Sequence, residues 1–473
     1  MTDHTGTHIT GSSAAECVSR YFRTPEAMLP LLCTKSNGRK PGFFRVGSDA
    51  IAYGQCATIS LSDSPTRHLA DAWERVSTAD GIGVLPFDLN EVVRNLHLET
   101  YSVAVSGWRK YVRNAYYSVR PKLTVGTRKY LQRMYLSGWK KVSFPHWPVD
   151  RSADRLLEQA LALGLKASGA ATIPFIWFWP GAHSSCAIVT HDVEATMGRD
   201  FTGKLIELDA SFGMKASYQV VPEERYDVPM AYLDLIRDHG CEVNVHDLNH
   251  DGMLFSDRNT FLERAKAINR YGRTFRARGF RSGAMYRNQE WFQALEFEYD
   301  MSVPNVAHLE PQGGGCCSIM PYFIGNLLEL PLTTIQDYAV FHIFGERNID
   351  IWKEQISEIQ RNHGLITILS HPDYIIESWA QDIYAELLGY LAGEVSAKNI
   401  WLTTPGQVND WWRLRSKLSL QPEGAGWQIV GEGSDRARIA YASLVDGVLQ
   451  YSFDPMSPGT ISKTANPASG KTL

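Results

Sequence analysis

Two acids, three histidines and an arginine occupy places in this 473-residue chain where they can share one reaction. Asp192 and Glu194 end the run Cys186-Ala187-Ile188-Val189-Thr190-His191-Asp192-Val193-Glu194. Spaced i and i+2 at the end of a strand, their side chains point the same way. One acid in such a place is more often a loop or cap residue than a reactive group, so the reading depends on partners. His246 and His250 supply the first partners, in Val243-Asn244-Val245-His246-Asp247-Leu248-Asn249-His250. Their i,i+4 spacing puts both rings on one face if the segment turns helical, and metal sites use it. A His-x-x-x-His is a weak signal by itself. Arg281, in Phe280-Arg281-Ser282-Gly283-Ala284, can grip a carboxylate through parallel bonds and keep it ionised. Gly283 beside it allows close backbone approach. His371, in Leu369-Ser370-His371-Pro372, can give up a proton as a general acid. The bland alternatives are a surface arginine and a capping histidine; the common placement of all four features argues against them.

That placement comes from the elements around them. Each feature follows a short apolar run that reads as a buried strand: 186–190, 242–248, 280–285 and 365–370. Further strands fit 216–221, 327–332 and 400–402. Helices fit 201–211, 229–239, 257–274, 291–297, 350–362, 376–393 and 406–416. Strands alternating with helices imply parallel βαβ units, whose chemistry sits at the strands' C-terminal ends. The number of units suits an α/β fold with a complete or incomplete (β/α) barrel over 151–417 better than a small open sheet. The tryptophans of Ile173–Pro180 fit a core better than a sugar platform.

Around the barrel the sequence predicts a flexible tail at 1–17 and a mixed α/β region at 18–150. In that region 42–47 and 51–53 form a hairpin, and Asp88 caps a helix to Leu98. A small β appendage follows at 418–454, then a disordered tail at 455–473. The stretch 101–149 contains ten Lys and Arg, no Asp or Glu, and interleaved aromatics such as Trp108, Tyr116, Tyr130 and Trp139. A solvated basic surface explains it as well as an anionic lipid face, a polyanionic glycan or a lipid pyrophosphate. The net charge of −4 and pI near 6.4 argue against a nucleic-acid binder. Seven cysteines without CxxC spacing suggest reduced, cytoplasmic usage. The polar start without an apolar leader core points to the same compartment, peripheral at most to the inner membrane face.

The order of strand-acid-x-acid, His-x-x-x-His, Arg after a strand and a late Leu-x-His resembles the polysaccharide deacetylases of the NodB-homology type, carbohydrate esterase family 4. The resemblance covers roughly 186–405. That family's first motif commonly reads TFDDG, with the first Asp as base and the second as metal ligand. Here the motif is THDVE, so the resemblance makes Asp192 the base and, as in members with an Asp-x-Asp arrangement, Glu194 the ligand. His246 and His250 match the family's metal histidines. Arg281 matches its arginine, although RxPY is here RSGAMY, and Leu369-Ser370-His371 matches its last motif, with His371 as acid. Asp337 is the candidate to orient that acid.

The resemblance implies a distorted (β/α) barrel and a metal-dependent hydrolase that removes N-acetyl or O-acetyl groups from a glycan or glycan precursor; with a cytoplasmic placement that precursor is expected to be lipid-linked or soluble, as in exopolysaccharide biosynthesis. It implies a divalent metal, zinc first, held by Glu194, His246 and His250; a nitrogen and oxygen donor set also suits Fe, Co, Ni or Mn. The rival readings are an allantoinase-like hydrolase of a small cyclic amide and a non-catalytic glycan-binding protein on a deacetylase fold.

Overall fold

A computed structural model of the protein describes residues 8–10, 13–35, 40–65, 68–105 and 125–455. Its centre is a curled parallel sheet. The strands are β1 (Ser185–Val193), β2 (Ser217–Val220), β3 (Glu242–His246), β4 (Gly279–Arg281), β5 (Tyr299–Asp300), β6 (Leu327–Glu329), β7 (Leu365–Ser370) and β8 (Ile400–Thr403). They lie in the order β6-β5-β4-β3-β2-β1-β7, with β8 along the first half of β1. Every pairing among them is parallel. A short strand, Tyr322–Ile324, runs antiparallel to β6.

β1 and β7 are buried along their whole length, which explains their continuous apolar character. β6 and β7 are not paired strand to strand. Threonines span the gap between them. Thr333 Oγ1 donates to the Leu365 carbonyl at 2.7 Å and accepts from Thr367 N at 2.9 Å. Thr334 Oγ1 donates to the Thr367 carbonyl, and Thr367 Oγ1 to the Pro331 carbonyl, both at 2.7 Å. Leu365 N is taken by the Ile319 carbonyl at 2.8 Å. The result is a distorted barrel left incomplete between β6 and β7, where the sequence allows either a complete or an incomplete one.

One helix and one strand within 151–417 pack with the flanking regions and not in this sheet. Helix Ser152–Ser168, ended by left-handed Gly169, packs on the N-terminal elements. Strand Ile173–Ile176 pairs with Ile439–Val445 of a C-terminal hairpin. Trp177 and Trp179 are fully buried, their indole N–H groups donating to the carbonyls of His183 and His363 at 2.7 and 2.6 Å. The N-terminal region has a four-stranded sheet and the hairpin Gly42–Val46/Ala50–Gly54. Helix Leu89–His97 is capped by Asp88, which accepts from Asn90 N and Glu91 N.

Three expectations are corrected. The tail does not run to 17, because Ser13–Phe22 is a helix that buries Ala14, Val18 and Phe22 in the core. Residues 291–297 do not make an α-helix; Gln289–Ala294 is a 3-10 segment begun by the Asn288 side chain. The His246–His250 segment is a turn, because Asp247 and His250 adopt left-handed backbone conformations with φ of 57° and 54°. The tail at 455–473, apart from residue 455, and residues 106–124 of the basic stretch lie outside the described residues.

The N-terminal region is anchored to the barrel by a buried ion pair. Glu99 receives one edge of the Arg287 guanidinium, Nε donating to Oε2 at 2.6 Å and Nη2 to Oε1, while Nη1 donates to the Met285 carbonyl. Gly315 N and the Gln289 amide also donate to the carboxylate. All seven cysteines are free; Cys316 and Cys317 are buried in a loop.

Candidate active site

Alternation along β1 sends Thr190 and Asp192 into the barrel, where both meet Arg281 of β4. Arg281 Nη1 lies 2.8 Å from Asp192 Oδ1 and 3.0 Å from Thr190 Oγ1, and its Nε donates to the Met301 carbonyl at 2.9 Å. Arg281 is completely buried, a costly position for a cation unless it is paired and hydrogen-bonded. Burial pushes the Asp192 carboxyl up, but Arg281, His246 and His371 outweigh it and hold it below the usual carboxylate range. An ionised acid is therefore kept deep in the barrel.

β3 is not adjacent to β1, yet curling of the sheet brings their ends together. His246 Nε2 is 3.6 Å from Asp192 Oδ2 and 3.8 Å from Glu194 Oε1. His250 Nε2 is 3.0 Å from the same Glu194 oxygen. One donor atom from each of Glu194, His246 and His250 lies within 4.8 Å of the others. The turn that aims His250 needs Gly283, since a Cβ there would overlap the Asp247 carboxylate and stand 2.9 Å from the His250 ring.

His371 follows β7, whose register sets Ser370 opposite His191. Its Nε2 is 3.6 Å from Glu194 Oε1, and its Nδ1 donates to Asp337 Oδ1 at 2.6 Å. Burial works against the charged imidazole, but Asp337, Glu194 and Asp192 together raise its pKa to about 10. All six residues singled out in the sequence thus meet at one end of the barrel, and Asp337 touches the His371 ring.

The donor set fits a divalent cation. Nε2 of His246 and of His250 are buried without a hydrogen bond of proper geometry. Such orphaned nitrogens beside a carboxylate suit ligation. His246 Nδ1 donates to the Arg281 carbonyl at 3.1 Å, which leaves its Nε2 lone pair free for an ion. At His250 one detail works the other way: Arg225 Nη2 stands 3.1 Å from Nδ1, and a guanidinium can only donate. Ligation through Nε2 requires the Nδ1–H form and so gives up that contact. Arg225 keeps its bonds to the carbonyls of Asn249 and His250, at 3.2 and 2.7 Å.

Several supporting residues carry no local sequence signal. Asp373 accepts from Glu194 N, Ala195 N and Gly198 N at 3.1, 3.2 and 2.9 Å, fixing the backbone of the acid and starting helix Thr196–Ser211. Tyr226 donates to the Val193 carbonyl at 2.6 Å. On the outer face of β1, His191 lies between Asp209 (2.9 Å) and Ser370 (3.0 Å), and Tyr384 and Tyr218 also bond Asp209. This has the order of a Ser-His-Asp triad, but its members are 0–2% exposed and face the helix layer. It is a strut between strand ends.

No family model matches the chain, and no curated protein matches it. Solved structures do. A Mycobacterium smegmatis protein assigned as a polysaccharide deacetylase is 14% identical over 53% of this chain and 98% of its own, with a TM-score of 0.42. The peptidoglycan deacetylase PdaC from Bacillus subtilis is 14% identical over 49% of this chain and 93% of its own, at 0.31. A CE4 family pseudoenzyme from Bacillus anthracis is 13% identical over 48% and 66%, at 0.29. These structures align with about half of this chain. At such identity and overlap the likeness does not speak to substrate or activity, which must be read from the site.

Proposed function

We propose that the protein is a metal-dependent hydrolase that removes acetyl groups from the sugars of a glycan or glycan precursor. The observation that carries this reading is the meeting of two ion-paired dyads, Asp192–Arg281 and His371–Asp337, at a Glu194–His246–His250 cluster. A binding protein needs neither dyad.

Glu194, His246 and His250 would hold the cation, which when bound supplies Lewis-acid polarisation and activates water. Asp192, kept ionised by Arg281, takes the proton of the attacking water. Arg281 keeps the carboxylate oriented, because its Nη1 also donates to Thr190 Oγ1 and its Nε to the Met301 carbonyl. His371 stays protonated through neutral pH and gives its proton to the departing nitrogen or oxygen. The carbonyl carbon–nitrogen bond breaks, and acetate and a free amine leave; for an O-acetyl group the products are acetate and an alcohol.

The test is acetate release from N-acetylated oligosaccharides by zinc-loaded protein, with Asp192→Asn alongside. Acetate from wild type alone supports the reading. Metal bound but no acetate from any glycan shifts the reading to a small-amide hydrolase, and neither metal nor acetate leaves a binding protein.

A further inference from the structure

The part of the basic stretch that the structure describes includes a helix at the rim of the catalytic end, held there by Arg133 and exposed along one face. Helix Val125–Leu136 leaves Tyr130 and Met134, one helical turn apart, 63% and 57% exposed. Leu131, Tyr135 and Val142 are exposed beside them, and of the twelve exposed large apolar side chains among the described residues, five fall within 130–142. Arg133, Lys140 and Lys141 are exposed in the same segment, and no Asp or Glu occurs anywhere from 101 to 149. A merely solvated basic surface accounts for the cations. It does not account for the concentration of apolar side chains among them.

The helix is tied to the catalytic mouth by a short series of contacts. Arg133 Nε donates to the His342 carbonyl at 2.6 Å. The His342 ring packs edge-on against Tyr374 at 5.1 Å, and Tyr374 lies 5.0 Å from the His371 ring. On the other side Trp139 packs on Trp147 and Phe344, at 4.8 and 5.4 Å.

We infer that this rim is a docking surface for an anionic lipid bilayer. Tyr130, Leu131, Met134 and Tyr135 enter the interface between headgroups and acyl chains, and Arg133, Lys140 and Lys141 meet lipid phosphates. Docking in this way sets the mouth of the barrel at headgroup level, within reach of a glycan carried on a lipid. The docking does not rest on the hydrolase reading, because vesicle binding is measured without turnover.

The experiment is co-sedimentation of the full chain with vesicles of phosphatidylcholine alone and of phosphatidylcholine with phosphatidylglycerol. Two variants are compared with wild type: Tyr130→Ser with Met134→Ser, and Lys140→Glu with Lys141→Glu. All four positions are exposed, and unchanged melting curves confirm that both variants fold. The expected result is binding to anionic vesicles only, weakened by salt and reduced tenfold or more in each variant, with acetate release from a soluble oligosaccharide unchanged. Absence of binding to anionic vesicles overturns the inference. So does binding that the apolar substitutions leave intact and soluble heparin abolishes, which would mark a polyanion site. Vesicle binding without acetate release removes the deacetylase reading and leaves the docking surface standing.

Discussion

Asp337 holds His371 at two points: Oδ1 accepts from the ring Nδ1 at 2.6 Å and Oδ2 accepts from the backbone N at 2.7 Å. One carboxylate thereby fixes the position, the orientation and the tautomer of the proposed acid. It turns Nε2 toward the cluster, 3.6 Å from Glu194.

This contact ties stability to pH in chelator-treated protein. His371 has a folded pKa raised to about 10 from an ordinary 6.5. Its contribution is fully present below pH 6.5 and is lost as pH rises through about 10. Urea unfolding of wild type should therefore show a decline over this window that His371→Gln lacks. Parallel curves for the two proteins would contradict the assignment.

Asp192→Asn keeps the size of the side chain and removes the base. Turnover should fall by roughly 10²–10⁴-fold, with bound metal unchanged by elemental analysis. Wild-type turnover in the metal-loaded variant would show that another group takes the proton.

Removing the ion should be visible without any substrate. An ion at a thousandfold excess over its Kd stabilises the folded state by roughly 4 kcal/mol. Zinc should raise the melting temperature of chelator-treated wild type by several degrees and leave His246→Ala unmoved. An equal rise in both would place the ion elsewhere.

Arg225→Ala loosens the left-handed turn that aims His250, since it removes the bonds to the carbonyls of Asn249 and His250. Loss of a group that orients a ligand typically costs about 10- to 100-fold in metal affinity. The same change relieves the ring of a donor at Nδ1, which works in the opposite direction. Zinc titration against a competing chelator measures the balance, and a fall of about tenfold is expected.

Glu99→Ala strands a buried guanidinium, since the Arg287 and Glu99 side chains are only 1% and 5% exposed. Breaking such a pair from one side costs about 3–5 kcal/mol. Denaturant unfolding should show that loss, and replacing both residues by apolar ones should recover much of it.

The candidate catalytic groups were legible in the sequence because each follows its own apolar run, and a strand end needs no distant information to be recognised. Asp192, His246, Arg281 and His371 are all of this kind. Glu194 and His250, one or a few residues past strand ends, came with them. The two histidines do not share a helical face, because Asp247 and His250 adopt left-handed backbone conformations, which i,i+4 spacing does not reveal. Asp373, Arg225 and Glu99 were not legible either. Asp373 bonds Glu194 N from 179 positions away, and Glu99 meets Arg287 across 188. Such pairings depend on how the sheet curls, and nothing in their neighbouring residues records it.

The threonine-spanned gap has a consequence for how the molecule behaves among its own copies. β7 has a strand ladder on one side only, so its other side would ordinarily present bare N–H and C=O groups that can recruit a strand from another chain. Here Ile319 O takes Leu365 N, Thr333 Oγ1 takes Thr367 N, and Asp337 Oδ2 takes His371 N. Ile319 and the segment 331–337 thus block self-recruitment along the strand that leads to the proposed acid. The same segment ends in the carboxylate that aims that acid, so a lesion that freed this edge for aggregation would disarm the site as well.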